Sequence, residues 1–267
     1  MTATTVPAPV PFRSTVRSEW TKLRTVRSTR RFVPIVILGS FGLTVLAAVL
    51  GGHSYHSWTA ADQAAFDPVN HGLISVALAQ IATAVVGVLA MTGEHSSGTL
   101  RTTLMATPRR ERVLAAKAVV LGVGGFVVGL LVTVPSFVVS QALLHGYTPT
   151  VGILHGGVVR SLVLSAGYLA AVSLIGLAVG TLLRSSAAAI AGLIGFLFVV
   201  PEIAAQLPHS IADAVLQYQP MAIASSSLSS ITREPHTLGP WPGSAVLLAY
   251  VAVFAAIALP GFRHRDA

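Results

Sequence analysis

The sequence predicts an all-α membrane protein with six transmembrane helices, and three observations carry that reading. The chain of 267 residues is 53% hydrophobic with a mean hydropathy of +0.75. Only 10% of it is charged, against roughly 25% in soluble domains. Six apolar stretches of 20–27 residues are each long enough to cross about 30 Å of hydrocarbon. They run over 32–52, 72–92, 118–144, 161–183, 187–207 and 243–262. Of the 17 basic and 9 acidic residues, Glu202 alone falls inside any of them. A backbone in lipid must satisfy its own hydrogen bonds, so each stretch is expected to be a helix. No internal repeat relates the six stretches. Low hydrophobicity is the mark of disorder, so this composition excludes it for the chain as a whole.

The order of segments follows from charge. Residues 1–11 hold three prolines and no apolar periodicity, and are expected to be disordered. Residues 12–31 read as an amphipathic interfacial helix. Phe12, Val16, Trp20, Leu23 and Val26 fall on one arc at about 100° per residue. Arg13, Arg17 and Arg24 flank that stripe, where they can meet lipid phosphates, and Trp20 suits the headgroup level. The six-span domain covers 32–262 and a short tail 263–267. Cations gather on one side: seven precede the first span and five sit between Arg101 and Lys117, with Arg184, Arg263 and Arg265 adding to them. Arg160 and Arg233 alone lie opposite. The positive-inside rule then puts both termini and the second connection in the cytoplasm. Topology accounts for the basic excess, so no nucleic-acid partner is expected.

The connection between spans two and three is the most informative segment. Gly98 permits a turn, and a short helix is expected from Thr99 to about Ala106. Leu100 and Leu104, spaced i and i+4, form an apolar ridge. Arg101 and Thr103 lie between them, and Pro108 ends the helix. Such a ridge suits docking in a groove of another protein. Glu94 stands at the membrane boundary and is expected to pair with Lys117 or Arg101, tying the second span to the third. A solvated carboxylate ending an apolar span is the plainer alternative.

Glu94, Gly98-Thr99-Leu100, Thr107-Pro108 and Lys117, in this order and spacing, resemble the cytoplasmic connection in membrane subunits of type 2 ATP-binding-cassette (ABC) exporters. The amphipathic first helix, the six spans and the long last outer segment extend the resemblance over nearly the whole chain. The resemblance implies a permease half. Two such subunits, as a homodimer or heterodimer, form the path, and two separate ATPase subunits bind beneath them. It further implies that residues 98–106 are the coupling helix, that Gly98, Thr99, Leu100, Arg101, Thr103, Leu104 and Pro108 serve ATPase coupling, and that 12–26 is the elbow helix. ATP and Mg²⁺ would sit on the partner ATPase. Membrane lipid is the remaining partner, and a bacterial plasma membrane the expected location.

The chain itself shows no means of hydrolysis. A phosphate-binding loop needs Gly-Lys followed by Ser or Thr, but Lys22 follows Thr21 and Lys117 follows Ala116. There is no His-Glu dipeptide for a zinc protease and no Gly-x-Ser-x-Gly elbow. No cysteine exists to form a disulfide, a thiolate metal site or a nucleophile. The chain is therefore expected to bind no cofactor or metal and to be no enzyme. An intramembrane enzyme and a non-transporting membrane partner of an ABC ATPase are the competing classes. The nearly charge-free spans favour an apolar or amphipathic cargo, a drug or antibiotic being one example. Glu202 is the candidate outer-gate residue, although its nearness to the boundary makes interfacial solvation the simpler reading. His53 and His56 with Asp62 and Asp67 read as ordinary polar loop residues. The third span carries a Gly125/Gly129 pair and a kink-prone Pro135. The fourth carries Gly176/Gly180, and neither glycine pair by itself distinguishes an internal contact from a dimer interface.

Overall fold

The structure, a computed structural model, describes residues 11–25, 27–106, 109–183, 185–228 and 238–264. Among these there is no strand. The expected disorder of 1–11 and the tail 263–267 fall mostly outside the described residues. Thirteen α-helices follow one another in the described residues. The first, α1 (Phe12–Thr25), is the amphipathic helix, and α2 (Arg27–Ser54) carries the first span. Arg27–Arg31, expected to belong to the interfacial helix, thus continue the first span instead. Two short helices follow, α3 (Ala60–Ala65) and α4 (Pro68–Gly72). Their starts are explained locally: the Thr59 hydroxyl accepts from the Asp62 N–H, and the Asp67 carboxylate from those of Val69 and Asn70.

The second span is α5 (Ser75–Ser96), joined through α6 (Thr99–Ala106) to α7 (Arg110–Leu144). At 35 residues α7 is about 52 Å long. It therefore outruns the hydrocarbon and carries Lys117 within a continuous helix rather than in a loop. Pro135 lies inside this helix without ending it. The fourth span is α8 (Val158–Leu183). The fifth is built from α9 (Ser186–Ile194), a π-helical turn at Gly195–Val199 and α10 (Val200–Ala205). Pro201 supplies the reason for the wide turn, since its ring would collide with the carbonyl four residues earlier in a regular helix. Two short helices, α11 (His209–Leu216) and α12 (Pro220–Leu228), precede the sixth span, α13 (Pro240–His264). Six helices are thus long and apolar enough to cross a membrane. The chain is a multi-pass membrane protein.

The core is organised around α8, which packs against α5, α7 and α13 and has 72% of its apolar window buried. The apolar windows of the first, fifth and sixth spans are only 17–22% buried within the chain. Both glycine pairs serve this interior. A Cβ on Gly176 would lie 2.5 Å from the Ala84 carbonyl oxygen, and one on Gly180 2.7 Å from that of Val88. A Cβ on Gly129 would lie 2.6 Å from Ala166 Cα. These distances force close approach of α5 and α7 to α8, where dispersion replaces the hydrophobic drive that lipid does not provide. The buried Tyr168 hydroxyl donates to Gln80 Oε1 between α8 and α5. At the end of the bundle away from α6, Phe66 packs edge to face with Tyr55 and Trp58, and His53 stacks on Tyr147. Among the described residues no three His, Asp or Glu gather as a metal site would require.

This packing predicts a position-dependent response to added volume. Gly180→Val should destabilise the detergent-solubilised protein by about 1–3 kcal/mol through overpacking. At Gly42 a Cβ would meet open space, with no neighbouring heavy atom within 4 Å. Gly42→Val should therefore stay within about 0.5 kcal/mol of the parent. Thermal melting of the two variants side by side checks this.

Candidate functional site: a closed ring of ion pairs at the foot of spans two and three

Helix α1 lies along α7 with a polar edge turned inward. Thr15 and Glu19 are buried, whereas Phe12 and Trp20 face outward. One helical turn on, Lys22 lies above Glu19, the spacing at which opposite charges meet. On α7 the buried positions Val113, Ala116, Lys117, Val120 and Leu121 recur every three or four residues, which turns Lys117 inward. Glu94 comes from the last turns of α5. Behind it Gly98 takes φ +70°, a left-handed conformation that favours glycine, and so closes the helix and starts α6.

These elements bring four charges into one ring. Lys22 Nζ is 2.7 Å from Glu19 Oε1 and 3.0 Å from Glu94 Oε1. Lys117 Nζ is 2.6 Å from Glu19 Oε2 and 2.7 Å from Glu94 Oε1. Each lysine thus bridges both glutamates, and the charges sum to zero. Glu19 and Lys117 are each 4% exposed, so the pair they form is removed from water. Lys22 makes a third bond, donating to Thr103 Oγ1 of α6 at 3.1 Å. Thr103 in turn donates to the Thr99 carbonyl. A lysine ammonium has three donors and Lys22 has three acceptors around it. The chain has 15 arginines and two lysines, and both lysines are in the ring.

The expected Glu94–Lys117 contact is therefore one side of a larger figure. Glu19 and Lys22 are not legible as partners in the sequence, because each looks like part of an amphipathic basic helix. One signal exists: Glu19 is the only acidic residue before Asp62, set among seven cations. Burial opposes the Lys22 charge, but the hydrogen bonds and charges of Glu19 and Glu94 outweigh it and hold its pKa above the ordinary 10.5. A cavity of about 460 Å³ lies against the ring and reaches Ser97 and Thr99.

Other expected residues are placed differently. Leu100 does not form an exposed ridge. It is 3% exposed and packs with Met91, Leu121, Leu177 and Phe262, where an apolar side chain is stabilised by burial among the ends of several spans. Met105, on another face of α6, is 71% exposed. The side chains of Arg101 and Leu104 and the whole of Thr107 and Pro108 lie outside the described residues. Arg13, Arg17 and Arg24 are exposed, with the Arg24 guanidinium 5.8 Å over the Trp20 ring. Glu202 is exposed on α10 and is not brought to the ring. Arg110 donates to the Phe262 carbonyl, which holds the end of α13 beside the start of α7.

Residues 15–202 match a family model described as ABC-2 family transporter protein, which spans well over half of the chain and includes every residue of the ring. No curated protein matches the sequence significantly.

The ring predicts unequal costs for its two lysines. Lys117→Met removes the partner of Glu19 Oε2, leaves that buried carboxylate with Lys22 alone, and should cost about 3 kcal/mol, the lower end for a broken buried pair. Lys22→Met should cost less, because Lys22 keeps contact with water. Exchanging the charges of 94 and 117 should restore nothing, since each reversed charge would then face a like charge at Lys22 or Glu19. Chemical melting of the three variants measures the order.

The pH response follows from the raised Lys22 pKa. Its stabilising contribution is fully present below the ordinary lysine value of 10.5 and is lost as pH rises through the higher folded value. Stability should therefore show no Lys22-dependent change between about pH 6 and about pH 9. A decline at more alkaline pH should be smaller in Lys22→Met, as melting across that range would reveal.

Proposed function

The chain belongs to the ABC-2 transporter family, and from that premise we propose that it is the permease subunit of an ATP-driven exporter. The family is a membrane transport component and generally not itself catalytic, so energy comes from a separate ATPase. In this reading both termini and α6 are cytoplasmic, in keeping with the concentration of cations at that end. The complex pairs this permease with a second copy or a related subunit and with two ATPase subunits holding ATP and Mg²⁺. It works in a bacterial plasma membrane. The sparsely buried first, fifth and sixth spans leave apolar surface for lipid or for the second permease.

The observation that carries the reading is the mounting of α6. An eight-residue helix stands between the ends of α5 and α7, anchored by Leu100 below and by the Lys22–Thr103 bond at its side. Its free face bears Thr102 and Met105. A groove on an ATPase can grip that face, and a displacement of α6 is then transmitted to α1, α5 and α7 together through the ring. Alternating access follows from moving these spans as a unit relative to the second permease. The cargo is an apolar or amphipathic molecule, since the spans contain almost no fixed charge with which to hold an ion or a sugar.

The docking face gives a discriminating test. Met105→Asp should leave the permease folded, because Met105 is already in water, yet reduce ATPase co-purification at least about tenfold, as loss of a central interface anchor does. Leu100→Asp should instead lower the yield of folded permease. Unchanged ATPase recovery with Met105→Asp, together with normal ATP-driven transport, would refute docking on this face.

A further inference from the structure

A second cavity, of about 620 Å³, lies between α1 and the first three spans. Its walls are apolar, with Val36 of α2, Val86 of α5, and Leu121 and Val128 of α7 among them. Among the described residues its charged lining is Arg24 and Arg30, with no acidic side chain contributing. Arg24 ends the amphipathic helix, and Arg30 precedes Phe32, where the apolar run of the first span begins. The two cations therefore stand where the polar and apolar parts of the chain meet, with the hydrocarbon-lined volume running on into the spans. Arg24 lies over the face of Trp20, which also lines the cavity. That stacking orients a guanidinium while leaving its N–H edge for an anion.

We infer that this cavity binds one anionic lipid drawn from the cytoplasmic leaflet, its phosphate held by Arg24 and Arg30 and its hydrocarbon tail laid along Val36, Val86, Leu121 and Val128. The volume lies within the ~300–1,000 Å³ range of sites that enclose an organic ligand. A zwitterionic lipid offers the same tail but brings its own cation to the two arginines. A soluble phosphate offers the same charge but leaves the apolar walls uncovered. The inference rests on the cytoplasmic placement of the α1 end proposed above. It names the charge that the cargo class, apolar or amphipathic, left open. Leu23, Val86 and Leu121 form a wall shared with the cavity that lies against the ring. A lipid seated here therefore touches the elements that the ring holds together.

Trp20 gives a direct readout. In the full chain with Trp58→Phe and Trp241→Phe, the remaining Trp20, which also faces outward, reports lipid at this cavity as the part of its quenching that Gly124→Leu removes. The protein is reconstituted in vesicles of phosphatidylcholine or phosphatidylglycerol whose tails carry bromine, a contact quencher. The expected result is a relative binding constant roughly three- to tenfold higher for brominated phosphatidylglycerol. Arg24→Gln with Arg30→Gln should abolish that preference. Gly124→Leu, which places side chain into the cavity while keeping both arginines, should weaken quenching by either lipid. Soluble glycerol 3-phosphate should not displace the bound lipid. Equal quenching by the two lipids, a preference that survives the double arginine variant, or displacement by glycerol 3-phosphate would overturn the inference. The measurement uses neither ATP nor an ATPase, so its failure is separate from failure of the permease reading, which Met105→Asp tests.

Discussion

Removing charges from water is costly, and in this protein two buried charges, Glu19 and Lys117, are offset by each other and by the better-hydrated Lys22 and Glu94. Glu19 and Lys117 are almost wholly buried, so removing either leaves the other short of one partner where water does not replace it. The closed arrangement of Lys22, Glu19, Lys117 and Glu94 makes the position of α1 depend on those of α5 and α7. The third Lys22 bond extends that dependence to α6. Four elements that would otherwise hang separately from the ends of two spans therefore share one electrostatic centre. Ionic groups do not add much net stability to a fold, but leaving one out is expensive, and that asymmetry is what fixes the relative geometry.

The interior supplies the complementary stiffness. Glycines on α5, α7 and α8 allow backbone-to-backbone approach, and α8 is enclosed by its neighbours. Apolar side chains such as Leu38, Leu131 and Leu248 face outward on the spans and mark the periphery of the bundle. The result is a bundle with a firm centre and one polar foot. Force applied to α6 meets both the apolar anchor at Leu100 and the ring, and neither yields without exposing apolar surface or uncovering a charge.

Much of the fold is legible in the sequence because lipid imposes a simple rule: no charges for about twenty residues. The six spans follow from that rule, and the left-handed Gly98 follows from the need to stop one helix and start another. What escapes the sequence has physical causes. The ring joins residues as far as 98 positions apart, and amphipathic periodicity describes only the apolar stripe of α1. Phe12 and Trp20 fit that description, but Thr15 and Glu19, on the adjoining edge, are what the protein buries. Leu100 reads as a docking ridge because local spacing says which face is apolar and not what covers it. The tertiary neighbours Met91, Leu177 and Phe262 do. The π-helical turn before Pro201 is likewise hidden, since a proline predicts disturbance without saying which geometry absorbs it.

The central claim is that the ring locks α1 to α6. Because the chain contains no cysteine, spin labels can be attached at two introduced sites without background, and Ser18 on α1 and Thr102 on α6 are both exposed. Pulsed electron–electron distance measurement between them, in lipid, tests the lock directly. A single narrow distance distribution is expected for the otherwise unaltered protein, broadening when Lys22→Met or Lys117→Met opens the ring. A distribution equally wide with and without the two lysines would contradict the claim.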